Sequence, residues 1–507
     1  MTYFFSKPRN VFIFSSFLFF SILLNACGGG SPGSSTATGE KAAYQRALAE
    51  YNNNNYVIAN NLFNTQLDSY PTGKYADNAH YYIGRIFYRN VDYVAAQAQF
   101  DIVLQQFTNS NYSDSAQYWL AKTWHARKQF DIAIIEYNKV NSTGKWGDNA
   151  AFQLGKIDYD KAKLATTTTQ AYKNYSDASV KLRAMIDNPV YVGSTSLDDA
   201  GYYLGLSHQD AGNLLLRDST LSTTIPLQTA QDQFDLAQAE FNKITNTSIY
   251  FDDAKYQLIR ITFEKAKTHA DPLQSYLLFE TAITNFDAFV NNANFTTGNR
   301  IDDAVYYLGR SFQEQGYLIK RDTTLVQQAI LATACLTADA CFIQARTNYA
   351  MIPLDSIYSD DAQYYGARSY HESGNYVMAR IEYQLMIDAA KSTWADDAQY
   401  QKGKTFYDSG KFSTDPVIAI QEFTLAIAEF DKLPVLFPVG NRLDSNIYFK
   451  GRALQRQALL AQANHKLLDV IPPLDPVSLA LKVDQRFIDA RVVFQQLIDS
   501  DPNSKWA

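Results

Sequence analysis

The chain has 507 residues, 46% hydrophobic and 19% charged, which is too long for one ordinary core and too apolar for a disordered polymer. Several domains or a quasi-linear array is expected instead. A net charge of −7 argues against a nucleic-acid partner, and 35 Tyr with 31 Phe supply an unusual amount of ring surface to pack or display.

Residues 1–26 read as a secretory signal. Lys7 and Arg9 provide the positive start, and Val11 to Leu24 is an apolar run too short to span a bilayer comfortably. "LNAC" (Leu24 to Cys27) closes it. That ending resembles the bacterial lipobox, which implies lipid attachment at Cys27. Gly28 in place of Asp implies sorting to the outer membrane. An ordinary cleaved signal, or an uncleaved anchor with an incidental cysteine, is the plainer reading. Residues 27–41, "CGGGSPGSSTATGEK", read as the lipidated cysteine and a flexible linker. Gly28, Gly30 and Gly33 match G-x-G-x-x-G in form, but no strand precedes them, so no dinucleotide site is expected.

From residue 42 onward two short patterns alternate. The first runs Asp, Ala two residues on, and an aromatic two further on; it begins at Asp77, Asp114, Asp148, Asp198, Asp252, Asp302, Asp360, Asp396 and Asp444. The second is a large residue, Ala three later and another large residue four beyond, as in Tyr93/Ala96/Phe100, Phe279/Ala282/Phe286 and Tyr376/Ala379/Tyr383. One more copy, Tyr56/Ala59/Phe63, precedes the first full unit. Such spacings are helical, each unit reads as an antiparallel helix pair, and the opening Asp is expected as an N-cap.

"AHYYIGRIFYRNVDYVAAQAQFDIVLQQF" (Ala79 to Phe107) and "AQYWLAKTWHARKQFDIAIIEYNKV" (Ala116 to Val140) resemble the tetratricopeptide-repeat (TPR) family. The connecting phrases "YPTGKYADNA", "TGKWGDNA" and "STWADDA" are similar to TPR envelope lipoproteins of the BamD and YbgF/CpoB type. The resemblance implies an all-α superhelical solenoid of about nine to ten helix pairs. It also implies a lipid-anchored scaffold facing the periplasm from the Gram-negative outer membrane, with other envelope proteins as partners.

The organisation expected is short units over 42–147, a duplicated block of long units over 148–355 and further units over 356–507. The duplication shows as a repeat of Asp148 at Asp252 and of Asp198 at Asp302, with "DKAK" (Asp160 to Lys163) echoed by "EKAK" (Glu264 to Lys267). Wider spacing there calls for longer helices or for inserted loops such as "TTTT" (Thr166 to Thr169). "IPPLDP" (Ile471 to Pro476) reads as a rigid break, and "DPNSKWA" (Asp501 to Ala507) resembles the phrase that introduces another first helix.

On the first helices a base follows a ring by four residues, on one face: Tyr81/Arg85, Tyr118/Lys122, Tyr256/Arg260, Tyr306/Arg310, Tyr364/Arg368, Tyr400/Lys404 and Tyr448/Arg452, with Phe152/Lys156 alike and Leu206 after Tyr202 the one break. Two readings stay open. Either the rows line a groove that grips a partner segment or a saccharide such as peptidoglycan, or the rings pack between helices while the bases pair with the acids of the adjacent unit. Cys335 and Cys341 are either a short-loop disulfide or two separate thiols. The six histidines are scattered, and the repeated Asp pairs read as helix starts. No catalytic residue, metal site or cofactor is expected.

Overall fold

The computed structural model describes residues 36–224, 229–292, 295, 300–328, 335–389, 392–463, 479–500, 504 and 506. They are helical, with no strand among the described residues. The chain divides into two compact units, at Trp119 and Leu120.

The first unit holds α1 (Thr36–Asn52), α2 (Tyr56–Ser69), α3 (Ala76–Arg89), α4 (Tyr93–Gln106) and the start of α5 (Ser113–Ala126). The second continues through α6 (Phe130–Tyr137), α7 (Gly147–Leu164), α8 (Thr168–Ile186), α9 (Ser196–Arg217) and short α10 (Ser219–Thr224). Next come α11 (Ala230–Phe241), α12 (Phe251–Thr268), α13 (Pro272–Val290), α14 (Ile301–Arg321), short α15 (Leu325–Gln328) and α16 (Ala338–Tyr349). It ends with α17 (Ser359–Glu372), α18 (Tyr376–Asp388), α19 (Ala395–Phe412), α20 (Pro416–Leu436), α21 (Leu443–Ala463) and α22 (Leu479–Ser500).

Within each unit a first helix packs on its own second helix, and that second helix packs on the next first helix. α7 pairs with α8 and α8 touches α9; α12 pairs with α13 and α13 touches α14; the order persists to α21 and α22. The cause is the alternation of small and large residues. Ala96 and Phe100, Ala237 and Phe241, Ala282 and Phe286, and Ala379 and Tyr383 are all fully buried, each ring filling the gap its Ala opens. Burying one such ring stabilises the fold by roughly 1.5–3 kcal/mol. At two crossings nothing larger than hydrogen fits: a Cβ on Gly309 would stand 2.7 Å from the Tyr349 ring, and one on Gly403 2.6 Å from the Phe430 ring.

The wide spacing of the central block comes from longer helices. α7, α9, α12 and α14 run 18, 22, 18 and 21 residues, against 14 in α3 and α17. "TTTT" is no loop insertion, because Thr167 caps α8 by accepting from the Gln170 amide. The helical part begins inside the segment read as linker, at Thr36, and Glu40 of α1 accepts from the amides of Lys74 and Tyr75.

The expected Asp N-caps need correction. Tyr75, Trp146, Tyr250, Tyr358 and Trp394 occupy the cap positions of α3, α7, α12, α17 and α19, without side-chain capping bonds, and each Asp lies inside the first turn. There the carboxylate still faces the positive helix end. Its side chain is drawn off by hydroxyl donors on the next loop. Asp77 accepts from Ser110, Asp148 from Ser194, and Asp360 from Ser392 and Thr393. True side-chain caps sit on the second helices instead, at Asp92, Thr229, Asp271, Thr337, Asn375 and Asp415.

Candidate functional site

The ring of each Tyr–base pair is an internal part of the fold. Tyr81, Tyr118, Tyr256, Tyr306, Tyr364 and Tyr400 are buried, and Tyr448 is half-buried. Several first-helix rings, Tyr202 among them, stack on an aromatic that follows the second helix of their own pair. Ring centroids lie 4.5 Å apart for Tyr202–Tyr250, 4.6 Å for Tyr306–Tyr358, 4.3 Å for Tyr364–Trp394 and 4.2 Å for Tyr448–Trp506. Burial pushes the phenols of Tyr81 and Tyr364 up to about 12, so both remain neutral at physiological pH.

A serine two residues before the loop aromatic completes this joint. In Ser248–Tyr250, Ser356–Tyr358, Ser392–Trp394 and Ser504–Trp506 the hydroxyl accepts from the aromatic's own amide. Ser392 and Ser504 also donate to the first-turn carboxylates of Asp360 and Asp444. In four Asp pairs the second carboxylate holds the residue that precedes the next first helix: Asp199 accepts from Tyr250, Asp253 from Arg300, Asp361 from Trp394 and Asp397 from Arg442; Asp303 instead accepts from Arg300 at the start of its own helix. Burial raises the Asp199, Asp361 and Asp397 carboxyls, with these donors opposing the rise. The Asp pairs therefore latch one repeat to the next.

The bases form a partly exposed strip along the first helices. Arg260 donates to Tyr256 Oη at 3.2 Å and to Glu264 at 3.5 Å; Arg310 donates to Tyr306 Oη at 3.4 Å and to Glu314 at 2.7 Å. Lys156 pairs with Asp160 and Lys404 with Asp408, again one turn on. The acid partner thus lies on the base's own helix, not at the start of the adjacent unit. At three of these bases the ring beneath belongs to the next first helix: Arg260 covers Tyr307 and Arg310 covers Tyr365, each at 3.8 Å, and Lys404 covers Phe449 at 4.4 Å, whereas the ring near Arg368 is Tyr317 of the preceding first helix, at 5.8 Å. In the first unit Arg85 covers Trp119 at 4.7 Å. Arg452 donates to Gln455 at 3.1 Å, and Lys122 is half-buried.

Two junctions add a histidine at the same repeat position. His125 lies 2.9 Å from Asp160, which Lys156 also contacts at 2.6 Å; His371 lies 3.0 Å from Asp408, which Lys404 contacts at 2.7 Å. Burial alone would push both carboxyls up, but the bonds from histidine and lysine outweigh it, and both are held below the usual carboxylate range.

Cys335 and Cys341 are buried and joined, with Cα atoms 5.3 Å apart. Cys27, the signal and "IPPLDP" lie outside the described residues. Among the described residues no cluster of His, Cys, Asp and Glu is arranged to hold a metal, and no helix is long and apolar enough to cross a membrane. Sequence reasoning missed the aromatic that follows several first-helix rings (Tyr203, Tyr307, Tyr365, Phe449) and the Ser-x-aromatic phrase of the loops, the signals that could have pointed to the strip and the latch.

Residues 36–188 match the YfiO family, described as outer membrane lipoprotein. No curated protein matches the chain. The C-terminal part of a TPR repeat-containing protein from Cytophaga hutchinsonii is 14% identical, covering 63% of this chain and 98% of that one, with a TM-score of 0.39. Yeast Tom70 is 11% identical over 92% of this chain and 98% of its own, with a TM-score of 0.25. Cut9–Hcn1 of the APC/C is 14% identical over 92% and 95%, with a TM-score of 0.28. The described helices pack in consecutive antiparallel pairs, the all-α repeat architecture expected from the sequence.

Proposed function

We propose that this chain is a lipid-anchored scaffold at the periplasmic face of the Gram-negative outer membrane, binding other envelope proteins along the face of its first helices. The observation that carries the reading is the match of residues 36–188 to an outer membrane lipoprotein family, joined to a repeat array built on the same plan far beyond that segment. Cys27 is the attachment residue in this reading, and acyl chains on it hold the protein to the bilayer. The bases and acids of the strip keep part of their side chains at the surface, 14–25% exposed, whereas the row rings beside them are committed to packing. Burial of Tyr306 and Tyr364 directs the reading away from a saccharide stacked on these rows.

Envelope fractionation tests the anchor. The wild-type chain is expected in the outer-membrane fraction, its maturation blocked by globomycin, and Cys27→Ala is expected in the soluble periplasmic fraction. Unchanged processing and membrane retention of Cys27→Ala would end the claim.

A further inference from the structure

One first helix leaves open a space that other copies fill. Ile83, Leu120, Leu204 and Leu308 share one repeat position and are buried, whereas α17 carries Gly366 there. Packing does not demand a glycine at this place, because a Cβ would meet only the Tyr349 ring, at 4.0 Å. What remains is a hollow of about 330 Å³ between the second helices α16 and α18, lined from below by Ala362, Gly366 and Ala367 of α17. Small-ligand sites begin at about this volume, near 300 Å³. Ala362, Gly366 and Tyr370 follow one another at four-residue spacing on the face of α17 opposite Tyr364 and Arg368, so the hollow is separate from the strip.

Two charged groups line the same hollow, and the next junction shows what they would otherwise do. There Arg380 of α18 donates to the Thr405 backbone carbonyl at 3.4 Å, covers the Phe406 ring at 3.6 Å and pairs with Glu422 of α20. Arg346 of α16 repeats the first two contacts, donating to the Ser369 carbonyl at 3.2 Å and covering the Tyr370 ring at 4.3 Å. The acid corresponding to Glu422 is Glu382 of α18, three residues after Ala379 as Glu422 is three after Ala419. Arg346 and Glu382 both border the hollow but do not pair, and neither has another ion partner among the described residues. Burial pushes the Arg346 guanidinium below the usual arginine value. Partly buried charges gain from a counter-charge, so the two favour a ligand that bears both signs. The apolar lining favours an aliphatic group on it, and the copies with Leu204 and Leu308 show that an isobutyl group fits this place.

We propose that this hollow binds a small aliphatic α-amino acid as its zwitterion, with the carboxylate on Arg346, the ammonium on Glu382 and the side chain over Gly366. The site goes beyond the scaffold reading and does not depend on it. L-leucine is the probe, titrated into the full chain at neutral pH by isothermal titration calorimetry. Saturable binding is expected with a Kd below about 1 mM. N-acetyl-leucine, which lacks the ammonium, and leucinamide, which lacks the carboxylate, are each expected to bind about tenfold or more weakly, the worth of one charge-assisted bond. Arg346→Gln should weaken leucine binding to a similar degree. Gly366→Leu installs the residue that α14 already buries as Leu308, so it is expected to leave the urea midpoint unchanged or higher while abolishing binding. No saturable binding of L-leucine, equal affinity for leucine and both derivatives, or wild-type affinity in Arg346→Gln or Gly366→Leu would overturn the proposal. None of these results touches the scaffold reading, which falls only if no envelope protein is held by the first-helix face.

Discussion

Asp408 shows how much one carboxylate holds together. It receives His371 from the preceding repeat and Lys404 from its own helix, at 3.0 and 2.7 Å. Because its folded pKa lies below the unfolded value of about 3.9, the stability it contributes is fully present above that pH and is lost as pH falls through the lower folded value. Asp408→Asn is therefore expected to be less stable than wild type at neutral pH, by about 1–3 kcal/mol. The gap should begin to close below about pH 4 and narrow further as pH falls through the lower folded value. Urea unfolding at a series of pH values measures both. A gap that stays constant down to pH 3 would show that Asp408 acts by shape rather than by charge. Asp160, with His125 and Lys156, repeats the arrangement.

At the scale of the helix pair, the joint between repeats is a latch of one carboxylate and the loop it grips. Asp360 accepts from Ser392 Oγ at 2.7 Å, the Thr393 amide at 2.7 Å and Thr393 Oγ1 at 2.6 Å, and beside it Asp361 holds the Trp394 indole, whose ring stacks on Tyr364. Asp360→Ala strands these donors and is expected to cost about 1–3 kcal/mol. Ser392→Ala should add little on top of it, because the two act on one interaction. Chemical denaturation of the two single variants and the double gives the coupling, and strictly additive losses would contradict the latch. The helix pairs themselves were legible in the sequence, since Ala59/Phe63 and Ala379/Tyr383 state the helical spacing and the crossing point at once. The latch was not. Asp at a helix start reads as a cap by propensity, and only the serine of a loop some 30 residues away shows where its side chain goes. The strip was half legible: the four-residue spacing put Tyr306 and Arg310 on one face, but the ring that Arg310 covers, Tyr365, comes from the next repeat.

For the whole molecule, the family match covers residues 36–188, and helix pairs of the same kind continue past it to α21 and α22. In the proposed reading a partner meets the partly exposed bases and acids of the strip. By contrast, the second helices turn apolar residues outward, such as Val180 of α8, at 67% exposure, and Val377, Ile381 and Leu385 along one face of α18, at 65%, 47% and 53%.

The two faces separate cleanly in one measurement. A photo-crosslinking amino acid is placed in living envelopes at Lys163 of α7 and Lys267 of α12, equivalent exposed positions of the duplicated block. It is placed likewise at Val180 of α8 and Val377 of α18. Adducts with envelope proteins are expected from the two first-helix positions and not from the two second-helix positions. Adducts confined to Val180 and Val377, or none from any of the four, would contradict the account.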